Sequence, residues 1–88
     1  MEQFKKKSDE VLDYDLILKD WLDGDLISGC SVAIDGSDLQ LQSQNVLDDR
    51  VKLWLENGKK DADYIVTASI TTQMGRTKII NFKMRVRD

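Results

Sequence analysis

Two runs of alternating residues near the carboxyl end of the chain constrain its fold most. Residues 64–72, YIVTASITT, alternate between two faces and are rich in β-branched types, and residues 80–86, INFKMRV, place their large apolar side chains on one face. A period of two is typical of half-buried β-strands. The connection between the runs contains Gly75, which can adopt the positive φ of a tight turn. The two runs are therefore predicted to form a β-hairpin.

Four earlier segments show weaker versions of the same pattern. Residues 13–19 and 29–34 alternate, and the short runs 39–43 and 51–55 lie between clusters of Gly, Asn and Asp. In the last run Trp54 lies on the face opposite the three aliphatic residues. Six or seven short strands at this spacing predict an all-β fold, a small immunoglobulin-like antiparallel β-sandwich.

A helix is the alternative over residues 8–22. Apolar residues there partly follow the i, i+3, i+4 spacing, and Ser8 with Asp9 could cap a helix. We favour a strand, because the rest of the chain is β and a lone helix would need its own partner face.

The composition excludes most kinds of catalytic and metal-binding site. The 88 residues include no histidine, no proline and one cysteine, so neither a Ser-His-Asp triad nor a Cys/His metal set can be built. The Asp23-Gly24-Asp25 run lacks the residue order of a helix-flanked calcium loop. We expect no enzymatic activity, no metal and no cofactor, and no continuous apolar stretch approaches the length of a membrane span.

Charge is unevenly distributed along the chain. The net charge is −3, yet residues 8–63 hold fourteen acids against five bases, and both ends are basic. This layout is not typical of a nucleic-acid surface, which needs clustered positive charge. The polar residues 1–10 are predicted to be a flexible arm before a single domain over residues 11–88. The expected interface residues are the basic and tryptophan side chains Lys5, Lys6, Lys7, Trp21, Trp54, Lys83, Arg85 and Arg87.

Two stretches resemble a known family. The block LDYDLILKDWLDGDLI over residues 12–27, and the later series VKLWL, Gly58 and DYIVTASITTQMGRT, resemble small structural proteins of tailed bacteriophages, of the fiber-tail adaptor or neck-tail connector type, with an immunoglobulin-like sandwich. Ile17 and Leu18 stand where the family usually has Asp-Trp. Within the matched residues, the candidate structural positions are Tyr14, Tyr64, Gly58 and Gly75, of which Tyr64 sits where a tyrosine corner would close a sandwich.

The resemblance implies a virion component that joins tail or neck to fibres. It implies other phage structural proteins as partners, a homo-oligomer in the particle, and a location in the virion after assembly in the host cytoplasm. The alternative is a free-standing adhesion or recognition module that binds a protein or glycan through loops at one end of the sandwich.

Overall fold

A computed structural model describes residues 2–88 and shows seven strands in two facing sheets. The strands are β1 (Glu2–Lys6), β2 (Leu12–Ile17), β3 (Ile27–Ile34), β4 (Leu39–Val46), β5 (Arg50–Asn57), β6 (Asp63–Thr72) and β7 (Thr77–Val86), with one helical turn, α1 (Lys19–Leu22). Sheet A has the order β1-β7-β6-β3, and sheet B has the order β2-β5-β4. The predicted all-β sandwich is confirmed.

The predicted hairpin is the centre of sheet A. β6 and β7 pair antiparallel from Asp63 opposite Arg85 to Thr71 opposite Thr77. Alternate residues of both strands face sheet B, as the period of two requires. The core is formed mainly by three strands and consists of fully buried side chains: Val51, Leu53 and Leu55 of β5, Val66, Ala68 and Ile70 of β6, and Phe82, Met84 and Val86 of β7.

The N-terminal residues differ from the expected flexible arm. Glu2–Lys6 form β1, which pairs with β7 in parallel, so the sandwich is not purely antiparallel. The ring of Phe4 packs against Tyr14 and Phe82, with ring centroids 5.1 and 5.2 Å apart. β1 is held because it pairs with the backbone of β7 at the edge of sheet A and adds an aromatic side chain to the core. Met1, the first residue of the expected arm, lies outside the described residues.

Residues 8–22, for which the sequence allowed a strand or a helix, contain one of each. β2 covers Leu12–Ile17, as favoured, and α1 follows as a single turn. Asp23 and Gly24 end the turn with φ values of 48° and 91°. A helix of one turn is not stable alone, and this one is held by Leu22, which is buried in the core. Within residues 2–88 no helix has the length and apolar character needed to cross a membrane.

Candidate interaction surfaces

The first feature is an ion pair between a buried carboxylate, Asp25, and a partly exposed guanidinium, Arg76, which joins the two halves of the sequence motif. Asp25 follows α1, and Arg76 lies in the turn between β6 and β7. The Oδ2 of Asp25 accepts a hydrogen bond from Nε of Arg76 at 3.1 Å, and the Asp25 side chain is only 1% exposed. Its Oδ1 accepts bonds from the backbone N–H groups of Leu26 at 2.8 Å and Met74 at 3.2 Å. The carboxylate therefore holds the hairpin turn against the loop after α1.

Arg76 completes this contact on the helix side. Its Nη2 donates to the carbonyl of Leu22 at 2.7 Å and its Nη1 to that of Trp21 at 3.4 Å, so the guanidinium binds the last carbonyls of α1. The guanidinium also lies over the Trp21 ring, 4.3 Å from the centroid, and Nζ of Lys78 lies 5.0 Å from it. A planar guanidinium suits both roles, since it donates in a fixed fork and stacks on aromatic faces.

The pKa of Asp25 reflects this environment. Desolvation by burial acts against the charged form, but hydrogen bonds from Thr72, Leu26, Arg76 and Met74 outweigh it, and the pKa lies below its ordinary value. The group is therefore a charged structural carboxylate at neutral pH, with its oxygens occupied by protein donors.

Two further acids of the first motif block lie on sheet B. Asp13 and Asp15 of β2 lie beside Lys52 of β5, with Nζ–O distances of 2.9 and 3.5 Å. The hydrogen bond from Lys52 lowers the pKa of Asp13, and the same bond raises that of Lys52. Asp13 and Asp15 thus share Lys52, whereas Asp25 pairs with Arg76. No cluster of metal-ligating side chains occurs within residues 2–88.

The predicted basic interface residues do not share one surface. Lys6 points into the molecule with 2% exposure, and its Nζ donates to the carbonyls of Asn57 and Lys7. Burial lowers its pKa. Lys5 and Lys7 remain exposed on either side of it. The alternation of β1 separates these neighbours, because successive side chains of a strand face opposite sides.

Three predicted basic residues lie along the outer face of sheet A, Lys83 and Arg85 on β7 and Arg87 directly after it, and each is half-buried. Arg87 donates to Asp63 at 2.8 Å, and Arg85 lies 3.9 Å from the same carboxylate. Lys83 makes no ion pair within the described part of the chain. The parallel register puts Lys5 of β1 beside Arg85. Lys5, Lys83 and Arg85 therefore form a basic strip, in which Arg85 shares the Asp63 carboxylate with Arg87, its closer partner.

The two tryptophans lie at different places, and both are half-buried. Trp21 packs against the core at the end of the sandwich that holds the β6–β7 turn. Trp54 lies on the outer face of sheet B, opposite Asp13 of β2 and Ser43 of β4, as its place in the alternation predicts.

Tyr64 and Gly58 organise the opposite end. The Tyr64 hydroxyl accepts a hydrogen bond from the backbone N–H of Lys59 at 2.9 Å, five residues upstream, which is the bond of a tyrosine corner. Gly58 has φ of 102°, and a Cβ there would lie 2.8 Å from Cγ2 of Val86. A shallow polar depression of about 420 Å³ opens beside these residues, lined by Ser37, Asp38, Gln40, Asn57, Gly58 and Lys59.

The remaining structural candidates occupy similar positions. Tyr14 donates its hydroxyl to the carbonyl of Lys5 at 3.1 Å and so ties β2 of sheet B to β1 of sheet A. Gly75 has φ of 87° in the β6–β7 turn, and a Cβ added there would meet only open space. Asp25 and Arg76 matched the motif, but their pairing was not predicted. Asp25 lies in the block WLDGD and Arg76 in the block GRT, the two stretches that carry the resemblance, and this was the available signal.

Fold and surface together define a small two-sheet β-sandwich whose motif residues hold its ends in place. The chain belongs to a family of bacteriophage structural adaptors. The sequence model of that family, described as "Podophage GP4 fiber-tail adaptor protein gp77" (Gp77), matches residues 6–85. The resemblance seen in the sequence is thereby confirmed. A search of curated proteins finds no match.

Proposed function

We propose that this protein is a non-catalytic virion connector that joins a podophage tail or neck to its fibres through protein–protein contacts. The family match over residues 6–85 is the observation that supports this role. The shape agrees with it: the sandwich measures 40 × 20 × 19 Å, so its two ends are far enough apart to contact different partners.

The surfaces proposed for these contacts use candidate residues that reach the surface in full or in part. The basic strip of Lys5, Lys83 and Arg85 offers charge to an acidic partner surface, and Trp54 offers a half-buried aromatic on sheet B. Aromatic and arginine side chains are enriched in interfaces. Identical copies in the particle would place several such surfaces around the tail, and assembly would take place in the host cytoplasm.

The test is genetic and structural. Deleting the gene from the phage that encodes this chain is expected to give particles with complete heads and tails but without fibres, seen by electron microscopy. Supplying the protein from a plasmid should restore the fibres, and mass spectrometry should find it in the purified particles. Fibres that remain attached without the protein would contradict the proposal, and so would its absence from the particles.

A further inference from the structure

Exposed apolar side chains are concentrated at one end of the sandwich. Seven large hydrophobic side chains are exposed within residues 2–88. Five of them lie at the end that holds the β6–β7 turn: Ile17, Leu26, Val46, Leu47 and Met74. We call these five residues the apolar tip. The most exposed is Met74, at 77%.

Backbone hydrogen bonds bring the four segments of the apolar tip together. Gln73 N–H donates to the carbonyl of Leu26 at 2.9 Å, and Ile27 N–H donates to that of Asp48 at 3.2 Å. Leu18 N–H donates to the carbonyl of Asp49 at 2.9 Å. The turn after β6, the loop before β3, the turn after β4 and the end of β2 are thus joined side by side.

The apolar tip is also held in shape before any partner binds. The Asp25 carboxylate accepts from the backbone N–H groups of Leu26 and Met74, and so fixes two of the tip residues directly. Its pair with Arg76 ties the same turn to α1. A preformed apolar surface loses less conformational entropy on association, which favours binding.

Acidic residues border the apolar tip. Asp20, Asp23 and Asp48 are exposed there, and none of them makes an ion pair within residues 2–88. Lys19 is the exposed cation on the same helical turn, while the ammonium group of Lys78 lies over the Trp21 ring. Arg50 and Arg76 also lie at this end, but each is paired with an acid of its own chain. The unpaired charges of the border are therefore mainly negative, and complementary charge is expected on the partner surface.

A symmetric contact between the tips of two copies is unfavourable. Two tips facing each other across a two-fold axis would bring the same acids together, which costs free energy. The other exposed large hydrophobics within residues 2–88 are Val11, near the opposite end, and Ile79, on sheet A, and they form no second patch. The four arginines are already paired with carboxylates of their own chain, at Asp25, Asp49 and Asp63.

We propose that the apolar tip docks into a different virion protein, on an apolar surface bordered by lysine and arginine side chains. This inference rests on the proposed connector function and names one of its two contacts. An exposed apolar patch with a polar border is the usual form of a protein interaction site.

The test places a photo-crosslinking amino acid at position 74, or at position 11 as an exposed apolar control, in particles assembled by the phage. We expect position 74 to cross-link to another structural protein, at a segment that mass spectrometry shows to combine apolar and basic residues. The double variant Asp20→Lys, Asp23→Lys should lower that yield about tenfold or more, because two charges would then face a basic border. Any cross-link from position 11 should be unchanged by it.

Several results would overturn the proposal. Cross-links from position 74 to a second copy would assign the tip to self-association. No cross-link from position 74, in particles shown to contain the protein and to carry fibres, would refute the docking site while leaving the connector function in place. A protein absent from the particles would refute both.

Discussion

The carboxylate of Asp25 lies 3.1 Å from Nε of Arg76, fifty-one residues later in the chain, and this pair joins the loop after α1 to the turn between β6 and β7. The two residues come from the two sequence blocks that carry the family resemblance. The motif is therefore a structural unit: the first block supplies a buried acceptor and the aromatic ring of Trp21, and the second supplies the guanidinium that binds both.

Replacing Asp25 by Asn should lower the melting temperature by several degrees. The side chain keeps its size, but an amide cannot offer two acceptor oxygens, and its NH2 group would face the N–H donors of Arg76 or Met74. Asp23→Asn changes an exposed carboxylate in the same loop and should leave the melting temperature almost unchanged. Thermal unfolding followed by circular dichroism measures both, and equal melting temperatures for the two variants would contradict the role given to Asp25.

The same pair should make stability depend on pH in the acid range. The pKa of Asp25 is lower in the folded protein than in the unfolded chain, so its contribution is complete above the ordinary value of about 3.9 and is lost as the pH falls through the folded value. The pKa values of Asp13 and Asp88 are also lowered in the folded protein, so their contributions to stability are lost over the same acid range. Melting temperatures measured from neutral pH down to about pH 2 should fall less steeply for Asp25→Asn than for the wild type, whereas Asp23→Asn should follow the wild type.

Alanine substitution should lower the unfolding free energy much more at Lys6 than at its neighbour Lys5. Lys6→Ala removes buried hydrogen bonds to the carbonyls of Asn57 and Lys7, and should cost about 1.5–3 kcal/mol of unfolding free energy. Lys5→Ala changes an exposed residue and should stay within about 0.5 kcal/mol. Urea titration of the two variants gives the comparison, and a Lys6→Ala protein as stable as Lys5→Ala would show that the buried ammonium does not stabilise the fold.

Alanine substitutions at Gly58 and Gly75 distinguish the cost of backbone strain from the cost of a steric contact. Both have positive φ, so alanine at either position should cost about 1–2 kcal/mol. At Gly58 the new Cβ also meets Val86 at 2.8 Å, and this overpacking should add about 1–3 kcal/mol. The difference between the two unfolding free energies is the observable, and Gly58→Ala should be the less stable protein. Equal losses would mean that the contact with Val86 relaxes freely.

Strand β1 is expected to be part of the folding unit. Deleting residues 1–6 would expose the side of β7 that it covers and remove the ring of Phe4 from Phe82, so the truncated protein should lose its cooperative thermal transition. Phe4→Ala tests the same contact more gently. It should cost about 3 kcal/mol, the low end of the range for core phenylalanines because Phe4 is half-buried. Gln3→Ala, on the exposed face of the same strand, is the matched control. A truncated protein with the same thermal transition as the full chain would contradict this prediction and show that residues 1–6 are an arm outside the folding unit.

The sequence by itself determined which residues form most strands and which side of each faces the core. The alternation over Tyr64–Thr72 and Ile80–Val86 was sufficient, because a strand of period two must bury one face whatever its partner is. Trp54 was placed correctly on the outer face by the same rule. Tyr64 was recognised as a corner candidate because its position relative to Gly58 is local.

Only the tertiary structure decided the contacts between distant segments. The polar sequence of β1 carries a weak pattern, and its strand forms because β7 offers a backbone partner at the edge of the sheet. The role of Lys6 depended on that pairing. The Asp25–Arg76 bond and the apolar tip depend on how two sheets and four connections meet at one end. Local periodicity reports on near neighbours along the chain, whereas these contacts are set by packing between the sheets, and this is why they could not be predicted from the residue pattern alone.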